Sequence, residues 1–99
     1  MPRVTWALKA LADIERLDQF LRRRNPDAAT RAVLAIRDGV RQLQAFPETG
    51  RPAARLGMIA RELPILFGNS GYLVFYRYDG GDIHVLAVRH FREADYTDD

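Results

Sequence analysis

The sequence predicts an α+β fold with the element order β-α-α-β-β-β, in which one helical hairpin packs on one face of a small antiparallel sheet. In the first half of the chain, apolar residues recur at three- and four-residue steps, as in amphipathic helices. In the second half, two segments are rich in β-branched and aromatic residues, and Gly80-Gly81 separates them like a hairpin turn. Because 99 residues suffice for one hydrophobic core, we expect a single domain over residues 1–99.

The chain begins with a short apolar-polar alternation at Arg3–Trp6, which predicts a brief strand. A helical stripe starts at Ala7 and runs to Leu21, although Phe20 falls outside it. Arg22-Arg23-Arg24 follows, and its charges complement the negative end of the helix dipole. We interpret these arginines as the solvated end of the helix, with a contact to a phosphate or a partner as the alternative.

A second helix is predicted to start at Asn25-Pro26-Asp27, because Asn is a favoured cap, Pro suits the first helical position and Asp complements the dipole. Its apolar stripe ends before Pro47, so the helical hairpin spans about residues 7–46. Gly39 inside this helix costs about 1 kcal/mol relative to Ala. We therefore expect a neighbouring backbone to approach Gly39 closely.

The sheet is predicted mainly within residues 59–91, after a loop over residues 47–57. Ile59–Phe67 has the pattern of a strand, and Pro64 must lie at an edge or a bulge because it has no N–H to donate. Tyr72–Tyr78 and Ile83–His90 then form the hairpin. The residues after Phe91 are interpreted as a polar, acidic tail.

The turn at Gly80 and Gly81 sets the register of the hairpin. It pairs Tyr78 with Ile83, Arg77 with His84, Phe75 with Leu86 and Leu73 with Val88. Because side chains alternate across a strand, one face carries Leu73, Phe75, Leu86 and Val88, and we assign it to the core under the helices. The other face, which carries Tyr72, Val74 and Tyr76, is expected to stay open as a partner surface.

The composition excludes several classes of function. The chain has no cysteine and only two histidines, neither with metal-ligand spacing, so we expect no metal and no cofactor. No apolar stretch reaches 18 residues and the N-terminus does not resemble a signal peptide, so we expect a cytoplasmic protein that does not enter a membrane. Lys9 is the single lysine among fifteen basic residues, and a net charge of +2 is too small to indicate sequence-specific nucleic-acid binding.

The only candidate for catalysis is the end of the last strand, where His90 lies between Arg89 and Arg92. Adjacent cations favour a neutral imidazole, which can act as a general base. If Arg61 and Arg77 reached the same region, a concave basic patch would stabilise a scissile phosphate. The alternative is that these arginines pair with nearby acidic residues. We interpret His84 as a surface histidine with satisfied hydrogen bonds.

Nearly the whole chain resembles the ParE/RelE superfamily of toxins from bacterial type II toxin-antitoxin systems. The resemblance rests on the order and spacing of several short motifs. They are Val4-Thr5-Trp6, Ala10-Leu11-Ala12-Asp13-Ile14, Asn25-Pro26-Asp27-Ala28-Ala29, Phe46-Pro47-Glu48-Thr49-Gly50-Arg51-Pro52, Arg61-Glu62-Leu63, Gly71–Tyr78 and Ile83–His90. The β-α-α-β-β-β fold of this superfamily agrees with the elements predicted above.

The resemblance implies a toxin that a cognate antitoxin wraps and inactivates. Tyr72, Val74 and Tyr76 would then anchor the antitoxin, and its acidic side chains would pair with Arg61, Arg77 and Arg89. We include His90 and Phe91 among the candidate residues for binding the antitoxin or the target.

The superfamily contains RelE-like toxins that cut mRNA on the ribosome and ParE-like toxins that poison DNA gyrase. RelE-like members usually carry an arginine after the strand aromatic, where this chain has Leu73, and lysines on the preceding strand. We therefore expect a ParE-like toxin that binds gyrase. The alternatives are a ribosome-dependent endoribonuclease using Arg61, Arg77, His90 and Arg92, or an inactive interaction domain.

Overall fold

The computed structural model describes residues 1–53 and 60–96, and the side chains of this part up to Glu93. Along the chain the elements are β1 (Val4–Trp6), α1 (Leu8–Arg22), α2 (Pro26–Gln42), β2 (Arg51–Ala53), β3 (Ala60–Phe67), β4 (Ser70–Tyr78), β5 (Ile83–His90) and α3 (Phe91–Tyr96). The five strands form one sheet in the order β1-β5-β4-β3-β2. The predicted α+β fold is thus confirmed, and the helical hairpin covers one face of the sheet.

Three features differ from the prediction. The sheet is mixed, because β1 pairs with β5 in the parallel direction. β2 pairs with β3 within the predicted loop, and α3 forms where a polar tail was expected. The predicted strand start at Ile59 lies outside the described residues.

Pro64 has the predicted edge position. β2 pairs only with Ala60–Glu62 of β3, so Pro64 has no β2 residue opposite it.

The helical hairpin follows from local signals. The side chain of Asn25 accepts a hydrogen bond of 3.0 Å from the backbone N–H of Ala28, so the predicted cap of α2 is confirmed. Ala7 caps α1 without a side-chain hydrogen bond. The close approach predicted at Gly39 is also observed, although the neighbour is a side chain, since an added Cβ would lie 2.6 Å from Cδ1 of Ile65 in β3.

The helices cover the face of the sheet that carries Tyr72, Val74 and Tyr76, which we name the tyrosine side. The prediction that this side stays open is wrong. Val74 and Tyr76 are 0% exposed and Tyr72 is 5% exposed. Val74 packs in one cluster with Ala32, Ile36 and Val40 of α2. Val74 and Tyr76 therefore belong to the core and offer no accessible surface to an antitoxin, and Tyr72 is nearly as buried.

A β-bulge changes which residues of β5 share this side. The pairs Tyr78–Ile83 and Arg77–His84 form as predicted, but the register shifts by one residue between Phe75 and Tyr76. Phe75 therefore lies opposite Ala87, and Leu73 lies opposite Arg89. A bulge adds one residue to one strand and interrupts the alternation of its side chains. As a result, Val85 and Val88, three residues apart, both pack beneath the helices.

A buried carboxylate joins α1 to the bulged strand. Asp13 is 6% exposed, and its Oδ2 atom accepts a 3.0 Å hydrogen bond from the backbone N–H of Val88. Lys9 lies 3.2 Å and Arg16 3.5 Å from the Oδ1 atom of the same carboxylate. β1 pairs only with Ile83–Val85, so Asp13 satisfies a backbone donor of β5 beyond the end of β1.

The outer face of the sheet holds a smaller apolar cluster, with Leu73, Phe75 and Ala87 packed against Ala53, Ala60 and Phe91. α3 reaches this cluster because Gly71 has no side chain. A Cβ at Gly71 would overlap the carbonyl oxygen of Ile65 and lie 2.7 Å from the ring of Phe91. The unexpected helix α3 thus depends on a glycine that the sequence suggests only as part of a turn.

We predict that Gly71→Ala lowers the free energy of unfolding by about 2 kcal/mol, because the β3 backbone and the Phe91 ring must both move to admit a methyl group. Gly81→Ala is the matched control, since the nearest atom to its added Cβ is 3.5 Å away. Urea unfolding of both variants measures the effect. Equal losses of stability in the two variants would contradict the packing described at Gly71.

Candidate functional site

Arg61 and Tyr76 hold the loop that follows α2. The Nη1 atom of Arg61 donates to the carbonyl oxygens of Glu48 and Gly50 at 3.2 and 2.7 Å. The hydroxyl of Tyr76 donates to the carbonyl of Pro47 at 2.8 Å and accepts from the N–H of Gly50 at 2.9 Å. Burial raises the pKa of the Tyr76 hydroxyl above its usual value. Both side chains are therefore structural in this position.

The concave basic patch predicted from Arg61, Arg77 and His90 is assembled only in part. Arg61 and Arg77 line one cleft of about 350 Å³ with Pro52, Ala60 and Tyr78, whereas His90 lies apart from them. His90 pairs with Tyr72, four residues from Tyr76, which is about 13 Å along the strand. The prediction of one site containing these three residues is wrong.

His84 is a satisfied surface histidine, as predicted. Its Nδ1 atom lies 2.9 Å from the Thr5 hydroxyl, and its Nε2 atom lies 3.0 Å from Oδ2 of Asp79. The carboxylate of Asp79 also accepts backbone N–H bonds from Gly81 and Asp82. The His84 hydrogen bond, followed by these two, holds the pKa of Asp79 well below its usual value. This network closes the hairpin tip.

A cleft with a volume of about 660 Å³ lies between α1, the ends of β4 and β5, and α3. We name it the α1–α3 cleft. Its apolar wall consists of Leu17, Phe20, Leu21 and Tyr72, and its polar rim of Arg16, Arg24, Ser70, His90, Arg92 and Glu93. Three residues proposed from the sequence, namely Tyr72, His90 and Arg92, therefore do lie together.

The hydrogen bonds of His90 define its chemical role in this cleft. Its Nδ1 atom accepts a 3.1 Å hydrogen bond from the backbone N–H of Arg92, and its ring packs edge-on against Tyr72 at 5.4 Å. Since the Nδ1 lone pair is engaged, the neutral ring carries its proton on Nε2. The remaining ring nitrogen is a donor, which argues against the general-base role predicted for His90.

Two arginines of the rim are available to a ligand. Arg16 pairs with Asp13 and with Glu93, whose carboxylate also accepts the backbone N–H of His90. The guanidinium of Arg24 stacks on the ring of Phe20 at 4.7 Å. Within residues 1–53 and 60–93, neither Arg24 nor Arg92 makes an ion pair through its side chain.

The outer face near Leu73 has few cations. The cross-strand neighbours of Leu73 are Pro64 and Arg89. Leu66, two residues after Pro64 in β3, is 78% exposed. Phe91 packs against the apolar cluster that contains Leu73 and Phe75. This region is therefore mainly apolar, with Arg89 as its cation.

Comparison with known proteins identifies the family. The family model described as ParE toxin of type II toxin-antitoxin system, parDE, matches residues 4–95. The chain belongs to this family of toxins. A putative toxin, Y4kP of Sinorhizobium fredii, is 31% identical over 88 residues, covering 89% of this chain and 86% of the relative. Toxin RelE1 of Caulobacter vibrioides is 33% identical over 84 residues, covering 85% and 87%.

A solved structure agrees with this assignment. The chromosomal ParDE toxin-antitoxin system from P. aeruginosa contains a chain that matches with a TM-score of 0.75 and 27% identity, covering 91% of this toxin and 96% of that chain. The structural match thus agrees with membership of the ParE toxin family. No described helix of the toxin is long and apolar enough to span a membrane. The described residues contain no cluster of three His, Cys, Asp or Glu that could hold a metal ion.

Sequence reasoning missed most of the α1–α3 cleft. Leu17 and Leu21 belong to the apolar stripe of α1, so the pattern assigned them to the core. The signals that point to the cleft are Phe20, which falls outside the stripe, and Arg24 in the triple arginine. Phe20 is 60% exposed, whereas Leu17 and Leu21 are half-buried.

Tyr76→Phe should lower the free energy of unfolding at neutral pH by about 1–2 kcal/mol, because it removes both hydrogen bonds of the hydroxyl. The raised pKa of Tyr76 also has a consequence at alkaline pH. The unfolded chain loses the proton first, so the stability that this group contributes is present below about pH 10 and is lost as the pH rises through the folded pKa.

Denaturant unfolding between pH 7 and 11 tests both statements. The alkaline loss of stability should be smaller in Tyr76→Phe than in the wild type. Tyr78→Phe is the control, since Tyr78 lies on the same strand and its hydroxyl makes no hydrogen bond to a described residue. An identical alkaline loss in both variants would show that Tyr76 does not contribute it.

Proposed function

We propose that this toxin acts in the cytoplasm by binding and poisoning DNA gyrase, and that its cognate antitoxin neutralises it. The observation that supports a binding toxin over a nuclease is the apolar environment of Leu73. RelE-like members of the superfamily that this chain resembles usually carry an arginine at this position. A Leu at this position removes a cation that a nuclease would place on the scissile phosphate.

The neighbours of Leu73 do not replace the missing charge. Pro64 and Leu66 project on this side of β3, and Phe75 and Ala87 continue the apolar cluster. One well-placed donor contributes about 3–4 kcal/mol to transition-state stabilisation, and phosphodiester cleavage requires several. Arg89, the cation directly opposite Leu73, supplies too little charge at this position for an efficient nuclease.

Two of the four candidate catalytic residues are engaged elsewhere. The guanidinium of Arg61 is bonded to two carbonyls of the loop after α2. The Nδ1 lone pair of His90 is bonded to the N–H of Arg92. These contacts support a toxin that acts through its surface.

A ribosome-dependent endoribonuclease is the second candidate. Three relatives from Caulobacter vibrioides bear the name RelE, and the α1–α3 cleft places Arg24, Arg92 and His90 where an RNA phosphate would find donors. The names of the relatives do not separate a ParE-like from a RelE-like activity. The experiment must therefore measure both targets.

We predict that the purified toxin blocks DNA supercoiling by gyrase and leaves cleaved plasmid DNA, and that the toxin–antitoxin complex does neither. The same preparations should leave mRNA intact in a reconstituted translation reaction. The complex is the matched control because it contains the same toxin in a neutralised form. Unaffected gyrase together with cleaved mRNA would overturn the proposal in favour of the endoribonuclease. Activity in neither assay would favour an inactive interaction domain.

A further inference from the structure

We infer that the α1–α3 cleft is a docking site for the antitoxin, and that it takes an acidic segment which inserts an apolar side chain against Leu17, Phe20 and Leu21. The inference rests on the proposed function in one respect, that an antitoxin neutralises this toxin. The sequence predicted that the antitoxin binds the tyrosine side of the sheet, which the helices bury. The α1–α3 cleft is a different surface.

The rim of the cleft offers donors. Arg24 and Arg92 carry full charges without an ion-pair partner among the described side chains, and His90 presents its Nε2–H. The carboxylate of Glu93, the acidic group of the rim, is paired with Arg16. Carboxylates accept hydrogen bonds from several donors at once, and arginine binds them through two parallel bonds. The rim is therefore complementary to aspartate and glutamate side chains.

The apolar wall gives the partner an anchor. Phe20 is 60% exposed at the edge of the cleft, and the half-buried Leu17 and Leu21 continue its surface inward to Tyr72. A volume of about 660 Å³ can hold a leucine or an aromatic side chain with its flanking backbone. Interfaces place such apolar anchors inside a polar rim, because the rim excludes water from the anchor.

A protein segment fits this cleft better than a nucleic acid. Single-stranded nucleic acids bind by stacking bases on exposed aromatic faces. The face of Phe20 is occupied by the guanidinium of Arg24 at 4.7 Å, and Tyr72 is 5% exposed beneath the ring of His90. Because Tyr72 is buried and one face of Phe20 is covered, the aromatic residues of the cleft leave little surface for stacked bases.

The test measures the dissociation constant of the toxin for its antitoxin. Under the proposed function, the antitoxin is the small protein whose gene is adjacent to the toxin gene. The double variant Arg24→Glu/Arg92→Glu should bind at least about tenfold more weakly than the wild type, because acidic side chains would face like charges. Phe20→Ser should also bind about tenfold more weakly, through loss of the anchor. Arg24→Lys, which keeps the charge, should retain most of the affinity.

Arg41→Glu is the matched control. Arg41 is equally exposed but lies at the last turn of α2, about 20 Å along the hairpin from Arg24. It should bind within about twofold of the wild type. Circular dichroism verifies that all variants are folded, which we expect because the four substituted side chains are exposed.

The possible failures are distinguishable. If the wild-type toxin binds no antitoxin, the proposed function and this inference both fail. If the wild type binds tightly and the cleft variants bind within about twofold of it, the cleft is not the docking site, although the proposed function stands. If the double variant keeps antitoxin binding but loses binding of a fluorescent 20-nucleotide RNA, the cleft serves nucleic acid and the inference is overturned.

Discussion

Between Phe75 and Tyr76 the pairing of β4 with β5 shifts by one residue, and much of the structure depends on this shift. It places Val85 and Val88 on the same side of β5, where both pack with Val74 beneath the helices. The same distortion presents the backbone N–H of Val88 to the buried carboxylate of Asp13. Helix α1 is therefore held to the sheet by apolar packing and by a charge-assisted hydrogen bond at the bulged strand.

The two ends of the tyrosine side have different uses. At the end near the hairpin tip, Tyr76 and Arg61 bind the loop after α2. At the other end, His90 and Tyr72 lie against the last turns of α1, and α3 closes a cleft around them. The sheet thus buries Tyr72 and Tyr76 beneath the helices, and a cleft opens beside Tyr72 and His90.

Local signals in the sequence predict much of this fold. Asn25 and Pro26 determine where α2 begins, and the turn at Gly80 and Gly81 determines the first pairs of the hairpin. These features depend on residues that are close together in the chain. The resemblance to the ParE/RelE superfamily adds the family, which the comparisons with known proteins confirm.

The prediction of the partner surface fails because it depends on long-range packing. Both faces of the β4–β5 hairpin are largely apolar, so composition does not show which one the helices cover. A bulge carries no distinctive residue here, since Leu86 and Ala87 both fit a regular strand. Arg24, Arg92 and the exposed Phe20 come together only after α1, β5 and α3 have packed. The cleft that they line is therefore visible only in three dimensions.

Hydrogen exchange of the toxin, free and bound to its antitoxin, tests the central claim most directly, namely that the tyrosine side is core and the α1–α3 cleft receives the partner. The amides of residues 72–76 should exchange slowly in both states, because they lie in a central strand under the helices. New protection on binding should concentrate in residues 17–24 and 90–93. Fast exchange at residues 72–76 in the free toxin, with protection gained there on binding, would contradict the account.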